Sequence, residues 1–346
     1  MYFSSMSSLR IGVFGAGAIG CYVGGRLAAA GADVVFVGRE RLRSEIAKHG
    51  LTTTDLDGAA VGVPKGTVAF ETDVAALGDR DVVLVCVKSA QTAESAVRLA
   101  AVLAAGTVVV SMQNGVRNAD VLREHAPKLA VLGGIVGFNV VSKGEGSFRR
   151  ATSGPLVLEA SSDPRARDLV RALAECGFEV EVAKDIRAMQ WSKLVMNLNN
   201  AVSVLSDAPT RQIVLTPGYR RCLAAIVEEG LAVMRAAKIR PKRIGALPVQ
   251  IFPHALRLPT PLIRVVARAQ LKIDPEARSS MWEDLERRRA TEVDYLNGEI
   301  VRLAETVGAK APINRRVVDL VHEVEAKKSG SPKLSPDALW AALHSS

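Results

Sequence analysis

The sequence predicts an α/β protein, with an N-terminal doubly wound parallel sheet followed by an all-α C-terminal domain. Three observations predict it. Short apolar runs alternate with helix-like patterns through the first half of the chain. A glycine-rich turn joins the first of those runs to the first helix pattern. After Asp185 the strand signals stop and long patterns of helical period take over.

In chain order, Leu9 to Phe14 reads as the first strand and Ala18 to Ala30 as a helix, with Gly31 placed to end it in the left-handed region. Asp33 to Val37 is the second strand. The same rhythm returns as a strand from Asp81 to Val87, a helix from Thr92 to Ala104, and the strands Thr107 to Ser111 and Ala130 to Val136. Gly154-Pro155 marks a turn before a strand from Leu156 to Glu159, Asp163-Pro164 starts a helix, and Phe178 to Val182 alternates as a strand. Helical patterns then cover Ile186 to Leu205, Tyr219 to Ala237, Met281 to Val307 and Asn314 to Lys327. The boundary falls near Lys184, giving domains 1–184 and 185–346. Between Arg240 and Pro275, the stretch Leu262 to Ile273 carries Arg264, Arg268 and Lys272 at helical spacing. That reads as the solvated face of a core helix in preference to a helix lying on a membrane. Ser329 to Pro332 reads as the start of a loose tail.

Composition narrows the class. Of 346 residues, 48% are hydrophobic and 23% charged, the balance of a globular protein rather than a disordered one. The net charge of +9 is spread along the chain, and aromatic residues are only 4%, so no basic patch interleaved with rings argues for nucleic acid. No uncharged apolar stretch is long enough to span a membrane. Cys21, Cys86, Cys176 and Cys222 lie far apart, as reduced thiols of a cytoplasmic protein would.

The first turn reads Gly15-Ala16-Gly17-Ala18-Ile19-Gly20, a G-x-G-x-x-G between a strand and a helix. The first glycine allows the tight turn, the second lets a diphosphate approach the backbone, and the third lets helix and strand pack closely. The amides of Ala18, Ile19 and Gly20 then face the anion at the helix N-terminus. These features make the N-terminal domain a Rossmann-type dinucleotide-binding domain. The second strand ends in Val37-Gly38-Arg39, where an NAD-specific protein usually carries a carboxylate for the ribose. A guanidinium favours the 2′-phosphate of NADP(H), with Glu40 beside it as the competing signal.

Two negatives narrow the chemistry. There is no Tyr-x-x-x-Lys, and the five histidines lack paired metal-ligand spacing, so no metal is expected. A carbonyl reduction would need another acid, and a lysine serves if burial lowers its pKa. Trp191-Ser192-Lys193-Leu194-Val195-Met196-Asn197 puts Lys193 and Asn197 on one helix face, flanked by apolar residues; a solvated stripe is the plainer reading of that pair alone. Ser280-x-x-Glu283 fits a capping box, and Glu292 by itself is one more charged helix residue.

Taken together, the segments resemble the ketopantoate reductase family. The glycine loop, Arg39, Val87-Lys88 with Gln91, Gln113-Asn114-Gly115, Trp191 to Asn197, Ser280, and Thr291 to Gly298 occur in that family's order, across residues 9 to about 325. The resemblance implies an NADPH-dependent 2-dehydropantoate 2-reductase, with a small 2-oxoacid as substrate and a homodimer as assembly. It makes Lys193 the general acid and gives Glu292 the substrate hydroxyl. Asn114, Asn197 and Ser280 would position substrate or nicotinamide, and Lys88 and Gln91 would lie at the cofactor. The chain departs from the family pattern at Ala201 and Arg211, where members often carry asparagine, which bears on the substrate rather than on the reaction. Two other readings remain: reduction of a different 2-oxoacid, and an NADP-binding sensor without chemistry.

Overall fold

The computed structural model describes residues 9–243, 248–268 and 277–345. The chain divides into two compact units, one ending at Ile186 and the other beginning at Arg187.

The first unit runs β1 (Arg10–Phe14), α1 (Ala18–Ala29), β2 (Asp33–Val37), α2 (Glu40–His49), β3 (Leu51–Thr54), β4 (Ala60–Val63), β5 (Ala69–Glu71) and β6 (Val82–Val85). It continues with α3 (Thr92–Val102), β7 (Val108–Ser111), α4 (Asn118–His125), β8 (Ala130–Val136), β9 (Val140–Gly144), β10 (Ser147–Arg150), β11 (Leu156–Glu159), α5 (Pro164–Glu175) and β12 (Val180–Ala183). Eight strands form one sheet in the order β12-β11-β8-β7-β6-β1-β2-β5. Strands β6 and β7 are buried along their whole length, so they read as runs of valine and leucine, with Ser111 ending β7. Ile11, Val13, Leu84 and Val110 fill the core on one face; Phe14, Val83, Val85 and Val109 fill it on the other.

The sheet departs from the all-parallel expectation at one joint. Strand β11 runs antiparallel to β8, with Leu156 opposite Val136. The chain returns from β8 through the strands β9 and β10 rather than through a helix, and only a helical crossover forces a parallel return. Strands β9 and β10 belong to a second sheet, ordered β4-β3-β10-β9, that the periodicity did not announce. It packs on α1 so closely that a Cβ on Gly25 would stand 3.0 Å from Leu51 and Thr53. Two expected stops are as read: Gly31 ends α1 at φ +94°, and Asp163 caps α5 by accepting the Arg165 amide at 2.8 Å.

The second unit is helical throughout its described residues: α6 (Ile186–Asn197), α7 (Asn199–Ser206), α8 (Thr210–Leu215), α9 (Pro217–Ala236), α10 (Phe252–Leu256), α11 (Thr260–Val266), α12 (Ser280–Glu286), α13 (Asn297–Thr306), α14 (Pro312–Lys327) and α15 (Pro336–His344). Four expectations need correction. The pattern from Ile186 to Leu205 is two helices that break at Leu198. That from Met281 to Val307 is also two, parted by Arg288 at φ +53° and a tight turn over Val293–Tyr295. The loose tail is instead α15, capped by Ser335 and anchored by the buried Leu339 and Leu343. On α11 only Ile263 is buried, and the outer face exposes Leu262, Val265 and Val266 beside Arg264 rather than charge alone. Residues 269 to 273 of that stretch, Lys272 included, lie outside the described residues. No helix among the described residues is long and apolar enough to cross a membrane.

Candidate active site

Strand register brings together the expected site residues of the first unit. Phe14 pairs with Val37 on one side and Val85 on the other, and Val85 pairs with Ser111, so β2, β1, β6 and β7 end side by side. The loops that leave those ends carry Arg39, Gly15, Lys88 and Asn114 in turn. Neighbouring strands lie about 4.8 Å apart, which puts four non-adjacent stretches of sequence along one edge. The chain winds from β1 to β2 in one direction and then crosses back to β6, so β1 and β6 flank the switch point where doubly wound sheets bind ligands.

The three glycines act differently. Gly15 has φ +89°, and a Cβ there would lie 2.6 Å from the Val87 amide nitrogen, so the turn admits no side chain. A Cβ on Gly20 would lie 2.8 Å from Val13 and 2.9 Å from the Gly15 carbonyl, which seats α1 on β1. Gly17 is the N-cap of α1, and nothing stands nearer its Cβ position than the Gly15 carbonyl at 3.9 Å. The backbone there faces open space. Ala18, Ile19 and Gly20 are the first residues of α1, so their amides have no acceptor inside the helix, and no side chain caps them. A diphosphate fits that cradle.

Arg39 caps α2 and is exposed, and its guanidinium makes no hydrogen bond or ion pair among the described residues. The competing carboxylate is engaged elsewhere: Glu40 accepts from Arg43 at 3.1 Å and from the Ser44 hydroxyl at 3.0 Å, along its own helix. Lys88 and Gln91 are exposed on the tight turn that follows β6, closed by the Gln91 amide on the Lys88 carbonyl at 2.9 Å. Asn114 is half-buried.

The other expected residues belong to the second unit. Lys193 and Asn197 lie one turn apart on α6 and are both half-buried, among the fully buried Leu194, Val195 and Leu198. Burial pulls the Lys193 ammonium down to about 8, and the Glu292 carboxylate pulls the other way. Glu292 is itself buried, at the start of the turn that breaks the expected helix, where its carbonyl accepts the Tyr295 amide at 3.0 Å. Glu325 on α14 fixes the preceding residue by accepting the Thr291 amide at 2.6 Å.

Ser280 opens α12 and is exposed, but it is not the cap. Ser279 performs that role, its hydroxyl accepting the Trp282 amide at 3.1 Å and donating to the Asn200 carbonyl at 3.3 Å. The cap thus lies one residue earlier than expected, which leaves the Ser280 hydroxyl outside it. Of the two departures from the family pattern, Ala201 is fully buried in α7 and Arg211 is exposed on α8. Sequence reasoning missed Ser279, Glu325 and a buried polar group around Thr92 and Asn118. Each is an ordinary polar residue at a helix end or on a helix face, and only tertiary contact gives it a role.

Comparison with known proteins identifies the family. The family model described as ketopantoate reductase PanE/ApbA matches residues 11–163, and its C-terminal counterpart matches residues 185–325. The 2-dehydropantoate 2-reductase of Archaeoglobus fulgidus is 31% identical over 92% of this chain and 98% of its own. That of Halobacterium salinarum is also 31% identical, over 90% and 98%. Among solved structures, a PanE/ApbA family ketopantoate reductase from Ralstonia eutropha superposes with a TM-score of 0.79 at 31% identity, covering 92% of this chain and 99% of that one. A D-mandelate dehydrogenase solved with NADH and anilino(oxo)acetate shares the fold at 22% identity and a TM-score of 0.76. The chain belongs to the PanE/ApbA ketopantoate reductase family.

Proposed function

We propose that this protein is an NADPH-dependent 2-dehydropantoate 2-reductase that yields pantoate, the hydroxy acid used in pantothenate biosynthesis. The observation that carries the reading is a lysine brought near neutrality beside a buried carboxylate, in a chain whose other unit bears a dinucleotide cradle. A binding protein without chemistry has no use for such an acid.

The cradle fits a nicotinamide dinucleotide. The open backbone at Gly17 and the amides of Ala18, Ile19 and Gly20 would hold the diphosphate, and the guanidinium of Arg39 the 2′-phosphate that distinguishes NADPH. A reduced nicotinamide, when bound, supplies hydride to the substrate's keto carbon. The protein's own task is then to hold the substrate and deliver one proton. Lys193 carries that proton at Nζ, and with a pKa of about 8 it is largely protonated at neutral pH yet able to release it. Its positive charge stabilises the oxyanion that develops as the carbonyl is reduced. Glu292 accepts from the substrate hydroxyl and keeps Lys193 charged. Asn114, Asn197 and Ser280 orient the substrate and the nicotinamide by hydrogen bonds, while Lys88 and Gln91 lie along the cofactor. The homodimer and the cytoplasmic setting belong to the same reading, and sedimentation equilibrium tests the first.

Steady-state assays with 2-dehydropantoate and a panel of other branched 2-oxoacids test the substrate. The reading requires the highest kcat/KM for 2-dehydropantoate; an equal or higher value for another acid overturns it.

A further inference from the structure

Between the loops that follow β6 and β7 lies a cluster of buried polar side chains that the proposed reaction does not use directly. Ser89, Thr92, Ser111, Gln113 and Asn118 are each at most 6% exposed. Their hydrogen bonds form one connected set. The Thr92 hydroxyl accepts from Gln113 Nε2 at 2.7 Å and shares its hydrogen between the Ser89 carbonyl at 2.8 Å and Asn118 Oδ1 at 2.9 Å. Asn118 Nδ2 donates to Ser89 Oγ at 3.2 Å and to the Asn114 carbonyl. Ser89 Oγ also donates to the Asn114 carbonyl, at 3.0 Å, and Gln113 Oε1 accepts from Ser111 Oγ at 3.0 Å.

The Asn114 carbonyl thus takes two donors, one from the turn after β6 and one from the start of α4. That fixes the peptide plane between Asn114 and Gly115, whose φ of +95° is open to glycine but strained for other residues. Thr92 is the hub. It opens α3 immediately after the turn bearing Lys88 and Gln91, and it reaches Asn118 at the start of α4, beyond the turn bearing Asn114. An apolar core could fill the same volume. A polar set is tolerated there only when fully satisfied, and once satisfied it has a single geometry.

We propose that Thr92 and Asn118 are positioning residues for the reduction, locking the Lys88–Gln91 turn to the Asn114 turn so that both meet the nicotinamide end of the cofactor in one fixed arrangement. This rests on the site reading above. Displacement of reacting groups by about 1 Å costs on the order of 10²-fold in rate, so the bonds matter to turnover more than to cofactor affinity, whose anchors are the glycine loop and Arg39.

The test compares Thr92→Val, which keeps the shape and removes the hydroxyl, with Thr92→Ser, which keeps the hydroxyl and removes a methyl. Asn118→Ala provides a second route should Thr92→Val fail to fold. Each purified variant is assayed for kcat and KM with 2-dehydropantoate, for NADPH Kd by fluorescence, and for its melting temperature. The expected result is that kcat/KM falls at least about tenfold in Thr92→Val and Asn118→Ala. NADPH Kd should stay within about threefold in both, and Thr92→Ser should recover most of the turnover. Equal turnover in Thr92→Val and wild type, or equal losses in Thr92→Val and Thr92→Ser, overturns the proposal. Asn114→Ala separates the two levels: if it retains full turnover, the site reading itself fails; if it is impaired while Thr92→Val and Asn118→Ala are not, only the positioning role fails.

Discussion

Glu292 raises the pKa of Lys193 against the burial that lowers it, and the balance rests at about 8. With the protonated lysine as the proposed acid, reduction should be fastest below that pH and decline as pH rises through it. Glu292→Gln removes the raising influence. The alkaline limb of the kcat profile should therefore move to lower pH, accompanied by a rate loss of roughly 10²-fold or more. A limb that stays in place in Glu292→Gln would separate the two residues.

The three glycines should fail in different ways. Gly15→Ala places a Cβ 2.6 Å from the Val87 amide at positive φ, and Gly20→Ala places one 2.8 Å from Val13, so both should lower the melting temperature. Gly17→Ala meets nothing closer than 3.9 Å and should fold normally. Its loss should appear in NADPH affinity, by about tenfold or more, since the methyl would stand where the proposed cradle takes the diphosphate. Melting curves and fluorescence titrations of the three variants check this; normal NADPH binding by Gly17→Ala contradicts the cradle.

In the proposed reading Arg39 sets cofactor choice. A charge-assisted hydrogen bond is worth about 1.5–3 kcal/mol, so Arg39→Ala should reduce the preference for NADPH over NADH by roughly one to two decades. Glu40 is held by Arg43 and Ser44, so Glu40→Ala should leave that ratio unchanged. The measurement is kcat/KM with each nucleotide.

Adjacent serines should separate stability from binding. Ser279→Ala removes the cap of α12 and should cost about 0.5–2 kcal/mol in denaturant unfolding. Ser280→Ala should change stability by less than about 0.5 kcal/mol while raising KM for the substrate. The opposite assignment would restore the capping box first read from Ser280.

Where the chain alternates strongly, it was legible. Asp33–Val37, Ala130–Val136 and Leu156–Glu159 form strands over the residues that their apolar runs mark, because buried strands of a covered sheet carry little else. The second sheet was not legible, since Ala60–Val63 is largely exposed and Leu51–Thr54 is four residues long; its strands exist through pairing and contact with α1. The helix expected across Glu292 breaks because Arg288 adopts a left-handed conformation, Glu325 takes up the Thr291 amide, and Thr291 Oγ1 accepts the Val293 amide at 3.3 Å. The Glu325 contact comes from a distant helix and leaves no local trace. The site followed the same division: the glycine loop and Arg39 stand in a local pattern, whereas the nearness of Glu292 to Lys193 spans 99 residues and required the fold.

The central claim is that Lys193 supplies the proton in reduction of 2-dehydropantoate. Steady-state NADPH oxidation with that substrate, measured for wild type and Lys193→Ala at saturating cofactor, tests it most directly. The account predicts efficient turnover by wild type and a fall in kcat of about 10²–10⁴-fold in the variant, with NADPH affinity retained. Near-normal turnover by Lys193→Ala would contradict it.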